Sequence, residues 1–270
     1  MAPKTSMRTD AEKSAKMWRQ AGPEYFDEAG ARIDTDKLEY PEQVLAHRYI
    51  RSSDAVLELG ARYGTVSCVI NKRLADRAAH VAVEPDARVW PALERNRAAH
   101  GCAFGVVKGF VSGARLGLAN TDRYFNGYAA TAVPDAASEI PSFSLAQVRA
   151  QFGVPRFSVL VADCEGFLGQ FFDENPELLD ELRMVMFERD YPLKCDYAKV
   201  EAALAAHGFR EKKWTDFLWE DVSRGRRYVY NVSERFQNVW IKPPPRKSAV
   251  AAKVGGWGRA PRRTRRSSRR

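Results

Sequence analysis

The chain has 270 residues, of which 45% are hydrophobic and 11% aromatic, and carries a formal net charge of +9. That length and composition suit one large domain with appendages and a sizeable core. No run of about 18 apolar residues occurs, so no membrane-spanning helix is expected. The polar start MAPKTSMRTDAEKSAKM lacks the apolar stretch of a secretory leader. The charge is localised: residues 246–270 hold ten basic residues and no acidic one, which leaves −1 for residues 1–245. A near-neutral body with a basic arm predicts an electrostatic tail, not a nucleic-acid-binding body. The four cysteines, Cys68, Cys102, Cys164 and Cys195, form no C-x-x-C pair. They read as buried thiols of a reducing, cytoplasmic compartment, with neither disulfide nor zinc site. In that compartment the sequon Asn231-Val232-Ser233 has no consequence. His47, His80, His100 and His207 are widely spaced and read as surface or capping residues.

In chain order, residues 1–40 form a mostly polar extension, with a short helix expected between Asp10 and Gly22. Residues 42–50 have helical spacing. Strands and helices then alternate: strand 54–60, helix 64–76, strand 80–85, helix 87–101 with Pro91 in its first turn, and strand 104–111. Residues 112–143 show little periodicity. Their Tyr124, Phe125 and Tyr128 suggest an ordered lid. A helix over 144–153, a strand over 157–163, a helical stretch from Gly166 to Asp180 and a strand near 183–188 follow. After a helix at 195–208, residues 211–221 and 226–234 read as an antiparallel strand pair. From 243 onward the composition is that of a disordered Arg-rich tail. The reading is an α/β domain over 41–242. It has a Rossmann-like, mostly parallel seven-stranded sheet closed by an antiparallel pair, with helices on both faces.

Such a sheet binds its ligand where the strands end. The first strand ends in Glu58-Leu59-Gly60-Ala61-Arg62-Tyr63-Gly64, a glycine turn leading into a helix N-terminus. The second ends in Glu84-Pro85, where an acid can accept from both hydroxyls of a ribose. A nicotinamide dinucleotide and S-adenosylmethionine both suit that arrangement. The dinucleotide fingerprint G-x-G-x-x-G needs a second glycine for its pyrophosphate, and Arg62 stands at that place. S-adenosylmethionine has no pyrophosphate and carries a sulfonium and an ammonium, which favour an acid such as Glu58 nearby.

The strings DAVLELGARYGTVSCVI, VAVEPDARVWPALERN, IPSFSLAQVRAQFG, FSVLVADCEGF and MVMFERD occur in that order. Over residues 42–235 the chain resembles the FkbM family of S-adenosylmethionine-dependent methyltransferases, with the EP…L…N string (Glu84, Pro85, Leu93, Asn96) and the D-x-E-G string (Asp163, Glu165, Gly166) as its more specific parts. The resemblance implies a class I methyltransferase fold and O-methylation of a small molecule or sugar. It places Glu58, Gly60, Ala61, Tyr63 and Gly64 at the methionine end of the cofactor. Glu84 and Pro85 would lie at its ribose and Phe110 near its adenine. Three departures from the family pattern are Arg62 in place of Asn, Val161 in place of Lys, and Leu168 in place of a second Glu.

Asp163 and Glu165 close the fourth strand. If the chain is extended there, both face one side, and their proximity should raise one pKa and leave the other ionised. Asp163 then positions cofactor or acceptor, Glu165 serves acid–base chemistry, and Glu188 and Asp190 bind the acceptor. An alternative use of these acids is to cap the following helix. Cys164 is expected to point into the core. No [DN]-P-P-[YF] string and no Pro-Cys pair is present, which argues against base-directed amino and cytosine mechanisms. The expected partner is a small-molecule acceptor. A rival reading is RNA- or protein-directed methylation, with non-specific phosphate contact through residues 246–270. In a eukaryotic source the same arm could serve nuclear import. A cofactor-binding protein without activity is the remaining alternative.

Overall fold

A computed structural model describes residues 22–36, 38–120, 130–212, 218–221, 226–229 and 237–244. Seven strands build the central sheet: β1 (Val56–Leu59), β2 (His80–Glu84), β3 (Gly105–Lys108), β4 (Val159–Ala162), β5 (Met184–Glu188), β6 (Arg210–Glu211) and β7 (Gln237–Ile241). Their order across the sheet is β6-β7-β5-β4-β1-β2-β3. β1 to β5 run parallel, and β7 lies antiparallel between β5 and β6. This is the Rossmann-like α/β plan expected from the alternation. The helices are α1 (Tyr40–Tyr49), α2 (Thr65–Arg73), α3 (Trp90–Ala99), α4 (Leu145–Phe152), α5 (Leu168–Glu174), α6 (Leu178–Glu181) and α7 (Tyr197–Ala206).

Side-chain alternation explains why the central strands read as continuous apolar runs, since both faces are covered. Val56, Val159, Val161, Met184, Met186 and Val239 meet α1 and α2 on one face. Leu57, Leu59, Leu160, Ala162, Val185 and Phe187 meet α4, α5 and α7 on the other. α4 starts on a capping box, with Gln147 N donating to Ser144 Oγ and Ser144 N to Gln147 Oε1. At the amino ends of the strands, Asp54 is nearly buried. It accepts from Ser158 Oγ at 3.1 Å and pairs with the guanidinium of Arg183, which pins β1, β4 and β5 together.

Four expectations change in the structure. The strand foreseen over 104–111 breaks at Gly109. A side chain there would stand 2.3 Å from the Pro141 carbonyl, and Phe110–Val111 turns away to pair with Ser142–Phe143. The aperiodic stretch 112–143 contains an antiparallel hairpin, Leu116–Asn120 with Ala130–Pro134. The aromatics Tyr124, Phe125 and Tyr128 lie outside the described residues. The pair that closes the sheet is Arg210–Glu211 with Gln237–Ile241, because Val239 and Trp240 supply the buried surface; Leu218–Asp221 and Arg226–Val229 pair only with each other. The helical stretch 166–180 splits at Asn175-Pro176, where proline cannot continue the ladder.

Residues 22–36 add a strand pair, Tyr25–Phe26 with Arg32–Ile33, to the domain. Tyr25 is buried and stacks on His100, and Asn96 ties Phe26 down. The helix expected between Asp10 and Gly22, the basic tail beyond residue 244 and Asn231 lie outside the described residues. Among the described residues no helix is long and apolar enough to cross a membrane.

Candidate active site

The strand order reverses between β1 and β4, and a cleft opens at their carboxyl ends. It encloses about 280 Å³. β1 contributes Leu59, Gly60, Arg62 and Tyr63, and β2 contributes Val83, Glu84, Pro85 and Asp86. Phe110 and Val111 form one apolar wall with Leu118 and Ala132 of the hairpin. Asp163, Cys164, Glu165 and Phe167 form the floor beyond β4.

The turn after β1 is held by close packing. A Cβ on Gly60 (φ 89°) would stand 1.7 Å from the carbonyl oxygen of Asp163. Only glycine lets the first and fourth strand ends touch there. Glu84 then grips the turn. Its two oxygens accept from Arg62 N at 2.7 Å and Asp86 N at 2.8 Å. Burial raises the Glu84 pKa to about 7, against the lowering effect of those two N–H donors. Asn96 supports the turn from behind. Its side-chain amide donates to the Tyr63 and Phe26 carbonyls and accepts from Phe26 N, and it is fully buried. Tyr63 donates its hydroxyl to Glu28 of the N-terminal segment.

Three non-glycine residues among those described have left-handed backbone, and all stand at this cleft or its edge: Glu39 (φ 53°), Arg62 (φ 43°) and Glu165 (φ 50°). Such conformations persist only where the surroundings enforce them. Arg62 lies over the Tyr63 ring at 4.9 Å, and Glu39, Tyr63 and Asp163 hold its guanidinium above its ordinary pKa against the effect of burial. Thr65 donates to Glu39. Glu165 is fixed through its backbone: its N–H donates to Asp190, and its carbonyl accepts from Thr131 Oγ1 at 2.8 Å.

The acids at the floor form a larger group than the sequence indicated. Burial, then the charge of Asp190, raises the Glu165 pKa to about 7. Burial likewise holds Asp163, Glu188, Glu42 and Asp190 above the usual carboxylate range, and the first three also feel neighbouring negative charges. The expectation that one acid of the Asp163–Glu165 pair stays at its normal value therefore fails, because desolvation acts on both. The two do face the same cleft. They do so through the left-handed turn at Glu165 and not through extended backbone, since β4 ends at Ala162.

Of the residues singled out in the sequence, Gly60, Tyr63, Glu84, Pro85, Phe110, Asp163 and Glu165 line the cleft. Glu58, Ala61, Gly64 and Glu188 stand outside its lining. Glu58 is 1% exposed and meets Nε2 of the fully buried His80 at 3.0 Å, beneath the sheet end. Ala61 packs into a small core cluster, and Gly64 caps α2 against Leu93. Glu188 lies behind Asp163 and hydrogen-bonds it. Cys164 packs against the core as expected but also reaches the cleft. Burial and the charges of Asp190 and Asp163 hold its thiol well above the ordinary value. Of the histidines read as surface or capping residues, His80 and His100 are both buried, and His100 stands at the C-cap of α3. Sequence reasoning missed Glu39, Glu42 and Asp86; the two glutamates precede β1 in a helical context that gave no sign of an approach to β4 and β5.

No protein-family model matches the chain, and no curated protein matches it. Similar solved structures do exist. One is the ribosomal protein L11 methylase from Lactobacillus delbrueckii subsp. bulgaricus, at 16% identity over 76% of this chain and 78% of that one, with a TM-score of 0.41. Another is precorrin-6y C5,15-methyltransferase from Geobacter metallireducens, at 9% identity over 74% and 88%, with a TM-score of 0.44. A third is the O-methyltransferase of tomaymycin synthesis from Streptomyces achromogenes in complex with SAM, at 13% identity over 75% and 80%, with a TM-score of 0.38.

Proposed function

We propose that the chain is an S-adenosylmethionine-dependent methyltransferase of FkbM type that acts on an oxygen of a small-molecule or sugar-type acceptor. The observation that carries this reading is the cleft at the strand reversal. It joins a carboxylate at the end of β2, an apolar slot beside β3 and an acidic floor at the end of β4. A nucleoside carrying a sulfonium offers hydroxyls, a flat ring and a positive charge to those three features. A dinucleotide fits less well, because its fingerprint turn needs a second glycine where Arg62 stands.

In this reading Glu84 accepts from ribose hydroxyls with the lone pairs its two N–H donors leave free. Phe110 and Val111 hold the adenine, and Gly60 and Tyr63 lie along the methionine end. Glu58, Ala61 and Gly64 act from beneath by keeping the turn in place. The bound donor supplies a methyl group activated on sulfur. Asp163 orients the reacting groups, and positioning supplies much of the rate in an in-line displacement. Glu165, on the cleft floor with Asp163, takes the proton that the acceptor hydroxyl releases. Glu188 supports Asp163 from behind.

The test is calorimetric titration with S-adenosylmethionine, then an acceptor screen with a labelled methyl group. Glu165→Gln is expected to keep donor binding and to lose about 100-fold or more in turnover. Normal turnover by that variant would remove Glu165 from the role. A second reading, RNA- or protein-directed methylation, draws on the ten basic residues of 246–270. Deleting 246–270 separates the two: small-acceptor activity survives in the first reading, and salt-sensitive RNA binding disappears in the second.

A further inference from the structure

We propose that Glu42, Asp163 and Glu188 bind a divalent metal cation behind the floor of the cleft. Glu42 comes from α1, Asp163 follows β4, and Glu188 ends β5. Each offers one carboxylate oxygen, and the three oxygens lie within 4.8 Å of one another. Magnesium or manganese takes oxygen ligands at about 2.1 Å and calcium at about 2.4 Å, so opposed ligands of one ion stand about 4.2 to 4.8 Å apart. A set made only of carboxylate oxygens suits these hard cations rather than zinc or copper.

A second acidic triad, Asp163, Glu165 and Asp190, is equally compact. Its Asp190 is already engaged, accepting from Glu165 N, from Gly166 N at 3.1 Å, from Tyr191 N at 2.6 Å and from the Tyr197 hydroxyl. Those bonds shape the turn and leave little capacity for an ion. Glu42 is the opposite case. It is 4% exposed, and its carboxylate has no hydrogen-bond or ion-pair partner among the described residues. The groups pressing on it are the carboxylates of Asp163, Glu39, Glu58 and Asp190. Asp163 and Glu188 hydrogen-bond each other. Arg62 serves Glu39 and Asp163 from the other side of the turn. Glu42 is left as a buried acceptor aimed at two further acids, and a buried carboxylate demands a cation or a proton. A cation coordinated by all three meets that demand and reaches the cleft through Asp163.

The inference is independent of methyl transfer, because binding is read on the chain alone. Chelator-treated full-length protein is titrated with Mn²⁺, followed by calorimetry and by the loss of the free-ion paramagnetic resonance signal. The expected result is one tight site per chain, weakened about tenfold or more by Glu42→Gln, whose fold is checked by circular dichroism. Glu188→Gln is a second variant of unchanged volume, expected to weaken binding likewise; it decides the case if Glu42→Gln does not fold. Asp173→Asn, in an exposed pair with Lys199, should bind as the parent does. Absence of binding at millimolar Mn²⁺, or binding unchanged in the folded Gln variants, would overturn the proposal and leave protons as the only neutralising partners.

Discussion

At the scale of single residues, the cleft depends on positions whose chemistry cannot be exchanged. Gly60 is the clearest. With 1.7 Å between a built Cβ and the Asp163 carbonyl, Gly60→Ala must push β1 and β4 apart at their ends. The expected cost is about 1–3 kcal/mol of stability, together with loss of donor binding; thermal melts with and without the donor read both. Asn96 makes three hydrogen bonds that tie Phe26 and Tyr63 to α3. Asn96→Leu leaves buried backbone groups unpaired and should cost about 2 kcal/mol in urea unfolding. Glu84 predicts a pH dependence. Its folded pKa of about 7 lies above the ordinary 4.5, so the native state holds a proton that the unfolded state releases. Its stabilising contribution is complete below pH 4.5 and is lost as pH rises through about 7. Urea unfolding across that window should show Glu84→Gln losing less stability with rising pH than the parent, by up to about 3 kcal/mol. Equal slopes for the two proteins would contradict the assignment.

At the scale of elements, capping and pairing decide where the chain turns. Ser144→Ala removes the capping box that starts α4 and should lower stability by about 1 kcal/mol. Asp54→Ala strips the buried partner from Arg183 and Ser158 at the amino ends of β1, β4 and β5, and about 3 kcal/mol of stability should go with it. The five parallel strands were legible because each is a short apolar run followed by a turn and a helix, and burial on both faces makes such runs unmistakable. The closing strands were not. Gln237 and Asn238 open β7 with polar residues, while Leu218–Asp221 and Arg226–Val229 show the stronger strand composition and yet pair with each other. Glu84 and Asp163 could be placed because β2 and β4 end there and strand ends converge in this topology, whereas Phe110, which opens the short strand Phe110–Val111, was placed by the family resemblance. Glu58 misled, because its side chain turns toward His80 on the neighbouring strand, a choice that alternation alone does not determine. Glu42 and Glu39 gave no signal, since the path that carries α1 to the floor of the cleft is a tertiary matter.

At the scale of the whole molecule, the sheet gathers acids from separated segments around one cleft. The basic excess lies in 246–270, remote in sequence from every residue of that cleft. In the proposed function the body binds a small cationic nucleoside, and the arm would meet phosphates only by charge. The central claim is that the cleft at the strand reversal holds S-adenosylmethionine with Glu84 on the ribose. The most direct test is calorimetric titration of the full-length chain with S-adenosylmethionine and with S-adenosylhomocysteine, alongside the Glu84→Ala variant. The account predicts one donor bound per chain, and affinity weakened about tenfold or more in the variant, as expected for loss of hydrogen bonds to a charged group. No binding of either nucleoside, or equal affinity with and without the Glu84 carboxylate, would contradict it.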